Sequence, residues 1–168
     1  MHQIRAKGFT LVELMIVVVI VAVLTAIAFP SFQGSMRSNR VATTSNELMA
    51  SFALARTEAI RSKVGSGVCT SANGTGCGGT WNDGWIVWTD GAGGKQGELD
   101  PGETVIRYVK PNQRMTMSGS AVILGFDPRG RSMAGSQTIG VKPKDYDKPA
   151  RCVVLTATGQ MRIQDTCS

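Results

Sequence analysis

The stretch Leu11–Phe29, LVELMIVVVIVAVLTAIAF, holds only two residues that are neither apolar nor small, Glu13 and Thr25. About 20 predominantly apolar residues are needed for a helix to cross a bilayer, so this run is expected to be a membrane-spanning helix. Ahead of it, Met1–Gly8 carries Arg5 and Lys7 and no acid. Cations flanking a span stay on the cytoplasmic side, which sends everything from Pro30 onward outward. A secretory signal has an apolar region of only about 7–15 residues, ended by small residues before the cut. Here the run continues instead into Pro30 and a further helical pattern.

Glu13 is the next feature, because a carboxylate in an apolar span is costly and marks a functional position with a cationic partner. The span itself holds no cation. The segment Gly8-Phe9-Thr10-Leu11-Val12-Glu13-Leu14 resembles the class III signal of type IV pilins and type II secretion pseudopilins. The resemblance implies that a prepilin peptidase cuts after Gly8 and methylates the new N-terminal residue, Phe9. It also implies that Glu13 takes the place of the family's assembly glutamate, with the freed Phe9 amine of this or a neighbouring subunit as partner. Pro30 then stands for the family's helix-kinking proline, where a missing backbone donor bends a helix or loosens a turn.

Beyond Pro30 the positions Val41, Ser45, Leu48, Phe52, Ala55 and Ala59 step by fours and threes, as one buried helical face requires. The helix is expected to end near Gly65-Ser66-Gly67. Short apolar runs between turn residues follow, and the candidate strands are Trp85–Thr89, Thr104–Val109, Arg114–Met117, Ala121–Phe126, Gln137–Val141, Cys152–Thr156 and Gln160–Ile163. Asp127-Pro128-Arg129-Gly130 and Thr158-Gly159 read as turns. The expected class is α+β, a long N-terminal helix packed on antiparallel β-sheet. Its four segments are a leader (1–8), a transmembrane and filament-core helix (9–30), an amphipathic helix (31–65) and a periplasmic β-rich region (66–168). Ala55-Arg56-Thr57-Glu58-Ala59-Ile60, Trp81-Asn82-Asp83-Gly84-Trp85 and Thr89-Asp90-Gly91 are similar to the body of the FimT and pseudopilin-H family, which extends the resemblance over most of the chain.

Several chemistries are disfavoured by composition. The single histidine, His2, lies in the leader, so the remainder has no imidazole for a triad, a general base or a zinc site; neither enzyme activity, cofactor nor metal is expected. Cys69, Cys77, Cys152 and Cys167 fall as two locally spaced couples in a region expected to be periplasmic, where disulfides persist. Of three formal pairings, Cys69–Cys77 and Cys152–Cys167 are expected, whereas zinc would want C-x₂₋₄-C pairs. The segment Asp90–Glu103 lacks the alternating oxygen ligands and sixth-position glycine of a calcium loop and is expected to be a solvated Gly-rich hairpin. Alternation places Trp85 and Trp88 on opposite strand faces, so at most one is expected to be exposed.

Charge is unevenly placed. Residues 9–104 hold six Lys/Arg against eight Asp/Glu, whereas residues 105–168 hold ten against four. Basic patches attract phosphates, and some FimT-like proteins bind DNA through a G-R-x-R motif. Here the matching residues are Gly159-Gln160-Met161-Arg162, with Arg162 kept and Gln160 in place of the first arginine. Arg151, Gln160 and Arg162 are the candidate DNA-binding residues, with Arg151 and Arg162 expected to flank the last hairpin and approach a phosphate backbone together. The expected function is that of a minor pilin or pseudopilin, anchored in the inner membrane with its globular part periplasmic, then built into a pilus as part of an initiating or tip complex. The alternatives are a type II secretion pseudopilus subunit and a DNA-binding minor pilin. Expected partners are other pilins, the prepilin peptidase, the inner membrane and, for the last alternative, double-stranded DNA.

Overall fold

A computed structural model describes residues 9–167; Gly8 and the rest of the leader lie outside the described residues. Helix α1 covers Leu11–Ser62 and runs through Pro30 without interruption. The chain divides into two units between Arg37 and Ser38, so this one helix belongs to both.

In the first unit the large apolar side chains of α1, from Leu11 to Phe32, are all exposed. A window of this helix is long and apolar enough to cross a membrane. In the second unit the six positions of the expected stripe, from Val41 to Ala59, are all buried, and Thr44 and Ser51 join them. The helix ends at Ser62, after which Lys63 takes a positive φ of 61° and reverses the chain.

Eight strands follow: β1 (Ser66–Thr70), β2 (Trp85–Thr89), β3 (Thr104–Val109), β4 (Met115–Gly119), β5 (Ile123–Phe126), β6 (Gln137–Pro143), β7 (Arg151–Leu155) and β8 (Met161–Gln164). They form two four-stranded antiparallel sheets, β3-β2-β1-β5 and β4-β6-β7-β8. The core between helix and sheets is built from Leu48, Phe52 and Ala55 of α1, Val68, Trp85, Val87 and Leu124 of the first sheet, and Ile139, Val141 and Val153 of the second. Trp85 Nε1 donates to Ser51 Oγ at 2.9 Å, and that hydroxyl donates to Glu47 O at 2.9 Å. The buried Trp85 indole N–H and Ser51 hydroxyl are therefore paired across the helix–sheet boundary rather than left costly.

β1 does not read as a strand in the sequence, because Gly67 and the polar residues around it carry no alternation. It is nonetheless buried along its whole length. The reason lies on the outer face of the first sheet, where Cys69, Ile86 and Trp88 form a second cluster with Leu99, Val105 and Tyr108. Gly67 sits under the Trp88 ring, where any Cβ would strike the indole. So Trp85 and Trp88 do point to opposite faces, and both are buried, because loops cover the outer face.

Candidate functional site

Three features bear on function: the start of α1, the disulfides and the cations of the second half. At the start, Phe9 is exposed, and Thr10 caps the helix. Its hydroxyl accepts from Glu13 N at 3.2 Å and its carbonyl from Leu14 N at 3.2 Å, so Thr10 is the N-cap and Glu13 the third helical residue. The Thr-x-x-Glu spacing is the sequence signal for this cap. Glu13 is exposed in the first turn, where a carboxylate also offsets the positive end of the helix dipole. Among the described residues no ion pair involves it. Around it Leu11, Val12, Leu14, Met15 and Ile16 present apolar side chains in every direction. Such a surface is stable only in lipid or against other apolar helices.

The structure joins Cys69 to Cys77 and Cys152 to Cys167, with Cα–Cα separations of 5.6 and 5.4 Å. The first bridge ties the loop after β1 onto the outer face of the first sheet. The second ties the residues after β8 back to β7.

The Asp90–Glu103 segment differs from a free hairpin. Asp90 is only 4% exposed and accepts from Trp88 Nε1 at 3.0 Å and Gly97 N at 2.9 Å. Burial raises its pKa above the usual aspartate range, and those two hydrogen bonds work against the rise. Gly97 lies so close to Gly125 of β5 that a Cβ on Gly125 would stand 2.6 Å from the Gly97 Cα. Asp100 and Glu103 accept from the loop's own N–H groups at Lys95, Gly91 and Asp100. Most of the segment is solvated, but its middle is pinned over the sheet. No group of side chains suited to hold a metal occurs among the described residues.

Four of the ten cations in residues 105–168 are paired with acids among the described residues. Arg107 lies 3.7 Å from Glu47, Arg131 3.1 Å from Asp127, Lys142 2.8 Å from Asp147 and Arg151 3.7 Å from Asp165. Asp147 is held below the usual aspartate range by its bond to Lys142. Gln160 is exposed in the turn before β8, its N–H bonded to Thr156 Oγ1 at 3.0 Å. The register corrects the expected pairing of Arg151 with Arg162. Val154 stands opposite Arg162, and Arg151 is three residues from Val154 on the same strand. Side chains alternate along a strand, so the two arginines project from opposite faces of the sheet. Arg162 instead reaches Gln164, whose side-chain oxygen accepts from its Nε at 3.0 Å and its Nη2 at 3.2 Å once the amide is oriented for it.

Comparison with known proteins places these features in context. Residues 44–159 match the family described as Type II transport protein GspH, and residues 4–29 match the prokaryotic N-terminal methylation motif. The Type IV major alpha-pilin of Moraxella bovis is 48% identical over 44 residues, a match spanning 26% of this chain and 28% of that pilin. Among solved structures, the type IV minor pilin FimU of Pseudomonas aeruginosa superposes with a TM-score of 0.59 at 16% identity, covering 76% of this chain and 90% of that one. The minor pseudopilin EpsH from the type 2 secretion system of Vibrio cholerae gives 0.52 at 15% identity, covering 74% and 95%. At these identities the two structures speak for the fold.

Proposed function

This chain belongs to the GspH family of type II transport proteins, and from that premise we propose that it is a minor subunit of a pilin-type filament. It is anchored in the inner membrane by the first half of α1 and has its globular unit on the periplasmic side. The prepilin peptidase trims it after Gly8 and methylates Phe9. The same apolar helix then leaves the lipid for the filament core, where helix-to-helix packing replaces lipid contact. Glu13 pairs there with the Phe9 amine of a neighbouring subunit, since a carboxylate in a low-dielectric setting needs such a partner. The observation that carries this reading is the conjunction of a methylation-motif match over residues 4–29 with a helix that is apolar and exposed all round from Leu11 to Phe32.

The globular unit contributes the outer surface of an initiating or tip complex with other minor pilins. Placement in a pilus draws on the Moraxella pilin segment and the FimU fold, whereas the family name and the EpsH fold favour a type II secretion pseudopilus as the second reading. DNA uptake is the weakest of the three, because Gln160 carries no charge and Arg151 and Arg162 face apart. Mass spectrometry of the protein extracted from membranes tests the proposal. The expected N-terminus is N-methylated Phe9, and Gly8→Arg is expected to leave the full precursor in the membrane. A mature start at any other residue refutes it.

A further inference from the structure

Exposed cations collect at one end of the globular unit, the end where the helix enters it. Arg40 precedes Thr44 by one turn on the same side of α1. Asn112 Nδ2 donates to Thr44 Oγ1 at 3.4 Å, which brings the β3–β4 connection to that point, and Lys110 and Arg114 flank Asn112. Lys144 N donates to Arg114 O at 3.0 Å, so the β6–β7 connection lies alongside with Lys144, Tyr146 and Lys148. Lys110, Arg114, Lys144 and Lys148 are exposed, and neither they nor Arg40 form an ion pair among the described residues. Lys142 in the same place is neutralised by Asp147, leaving Asp145 as the opposing charge. At the other end the loop after β2 carries Glu98, Asp100 and Glu103 against Lys95. That end also holds Arg61 paired with Glu58, Arg131 paired with Asp127, and the exposed Lys63 and Arg129, so its charges roughly balance, whereas the end where the helix enters carries a cationic excess.

We propose that this basic end is a lipid-facing rim, which rests on anionic phospholipid headgroups while the subunit waits in the membrane. The inference builds on the anchoring described above. Phe32, 65% exposed, closes the apolar run of α1, and only five residues of chain separate it from Ser38, where the globular unit begins. Connectivity thus keeps the rim within a short reach of the bilayer surface. Cations near an anionic leaflet each add attraction, and the attraction fades within a Debye length, about 8 Å at physiological salt. Tyr146 is 51% exposed between Lys144 and Lys148, and tyrosine is a residue enriched at membrane–water interfaces. A duplex would have to enter beside the anchor to reach the same cations, which favours lipid over nucleic acid.

The full chain, reconstituted into phosphatidylethanolamine vesicles with and without phosphatidylglycerol, provides the test. Lysines are acylated with a membrane-impermeant reagent and counted by mass spectrometry. Lys95, on the far loop with its side chain 76% exposed, is the internal reference. Labelling of Lys110, Lys144 and Lys148 relative to Lys95 is expected to fall several-fold in the anionic vesicles. It should recover at 1 M salt, where the Debye length is about 3 Å, and in the double variant Arg40→Gln, Arg114→Gln. Failure of the chain to float with vesicles overturns the anchoring reading and the rim together. Flotation with unchanged labelling overturns the rim alone. Protection that follows protein density rather than lipid charge overturns it in favour of a second copy of this chain. Stronger protection by added duplex DNA than by phosphatidylglycerol overturns it in favour of nucleic acid.

Discussion

The two halves of α1 share a backbone and little else. From Leu11 to Phe32 the apolar side chains point everywhere and none of the large ones is buried, whereas from Val41 to Ala59 a single stripe is buried by the chain's own sheets. The first half is folded as a helix but unfinished as a packing unit, since lipid or other subunits must supply its surroundings. The second half carries its surroundings with it. One secondary-structure element can therefore serve two solvents, and substitutions in the two halves should report on different processes.

The largest contrast is expected at Glu13. Glu13→Ala removes the proposed partner of the Phe9 amine and is expected to abolish recovery in sheared filaments while leaving membrane insertion and the melting of the globular unit unchanged. Equal recovery of variant and wild type would end the assembly role of this carboxylate. In the second half, Phe52→Ala empties a site of the core at 0% exposure and should cost about 3–5 kcal/mol. Near-UV circular dichroism of the buried tryptophans would follow that loss in detergent. Ile20→Ala, the matching truncation in the first half, should leave the same melting curve in place. If Ile20→Ala lowers it comparably, the two halves are not energetically separate.

Next comes the bridge between Cys152 and Cys167. Replacing both with serine frees a loop of 15 residues, worth about 3 kcal/mol in the chain-entropy model, and non-reducing peptide mapping should show Cys69–Cys77 intact in that variant. The smallest effect is assigned to Asp127. Burial opposes its ionisation, but the N–H groups of Arg131 and Arg129 and the Arg131 side chain outweigh it and hold the pKa below the usual range. A lowered folded-state pKa gives stability that is complete above the ordinary aspartate value of about 3.9 and is lost as pH falls through the lower folded value. Asp127→Ala should therefore cost about 1 kcal/mol near neutral pH, and the gap to wild type should close in acid. A gap that persists at the lowest pH would assign the loss to turn geometry instead.

How much was legible in the sequence differs between the halves as well. The apolar run and the stripe from Val41 to Ala59 repeat at helical spacing, and burial follows that spacing directly. Seven of the eight strands were also visible, because their Val, Ile and aromatic residues alternate or cluster between turns. β1 was hidden because Gly67 is there to admit the Trp88 ring, a contact with a residue 21 positions away. Of the candidate site, the roles proposed for Phe9, Glu13 and Pro30 rest on local pattern and resemblance, while the Thr10 cap is legible in the Thr-x-x-Glu spacing. The cations could be counted but not grouped, since the segments carrying Arg40, Arg114 and Lys144 are brought together only by the Asn112–Thr44 and Lys144–Arg114 hydrogen bonds. The facing of Arg151 and Arg162 likewise depends on the register of β7 and β8.

The strand order of the first sheet, β3-β2-β1-β5, has a consequence in time. β1 gains one neighbour from β2 soon after it is made, but its other neighbour, β5, lies roughly fifty residues further along. At about 5–20 residues per second of synthesis, that second edge stays open for several seconds, and so does the pocket into which Leu124 and Phe126 must fit. The second sheet suffers no such delay on its β6-β7-β8 side, where each strand meets its predecessor in turn. A nascent chain stalled before Ile123 would thus present an unpaired β1 edge, and unpaired edges invite other strands. This interval is the stage at which the globular unit is most exposed to mispairing and to a passing chaperone or protease.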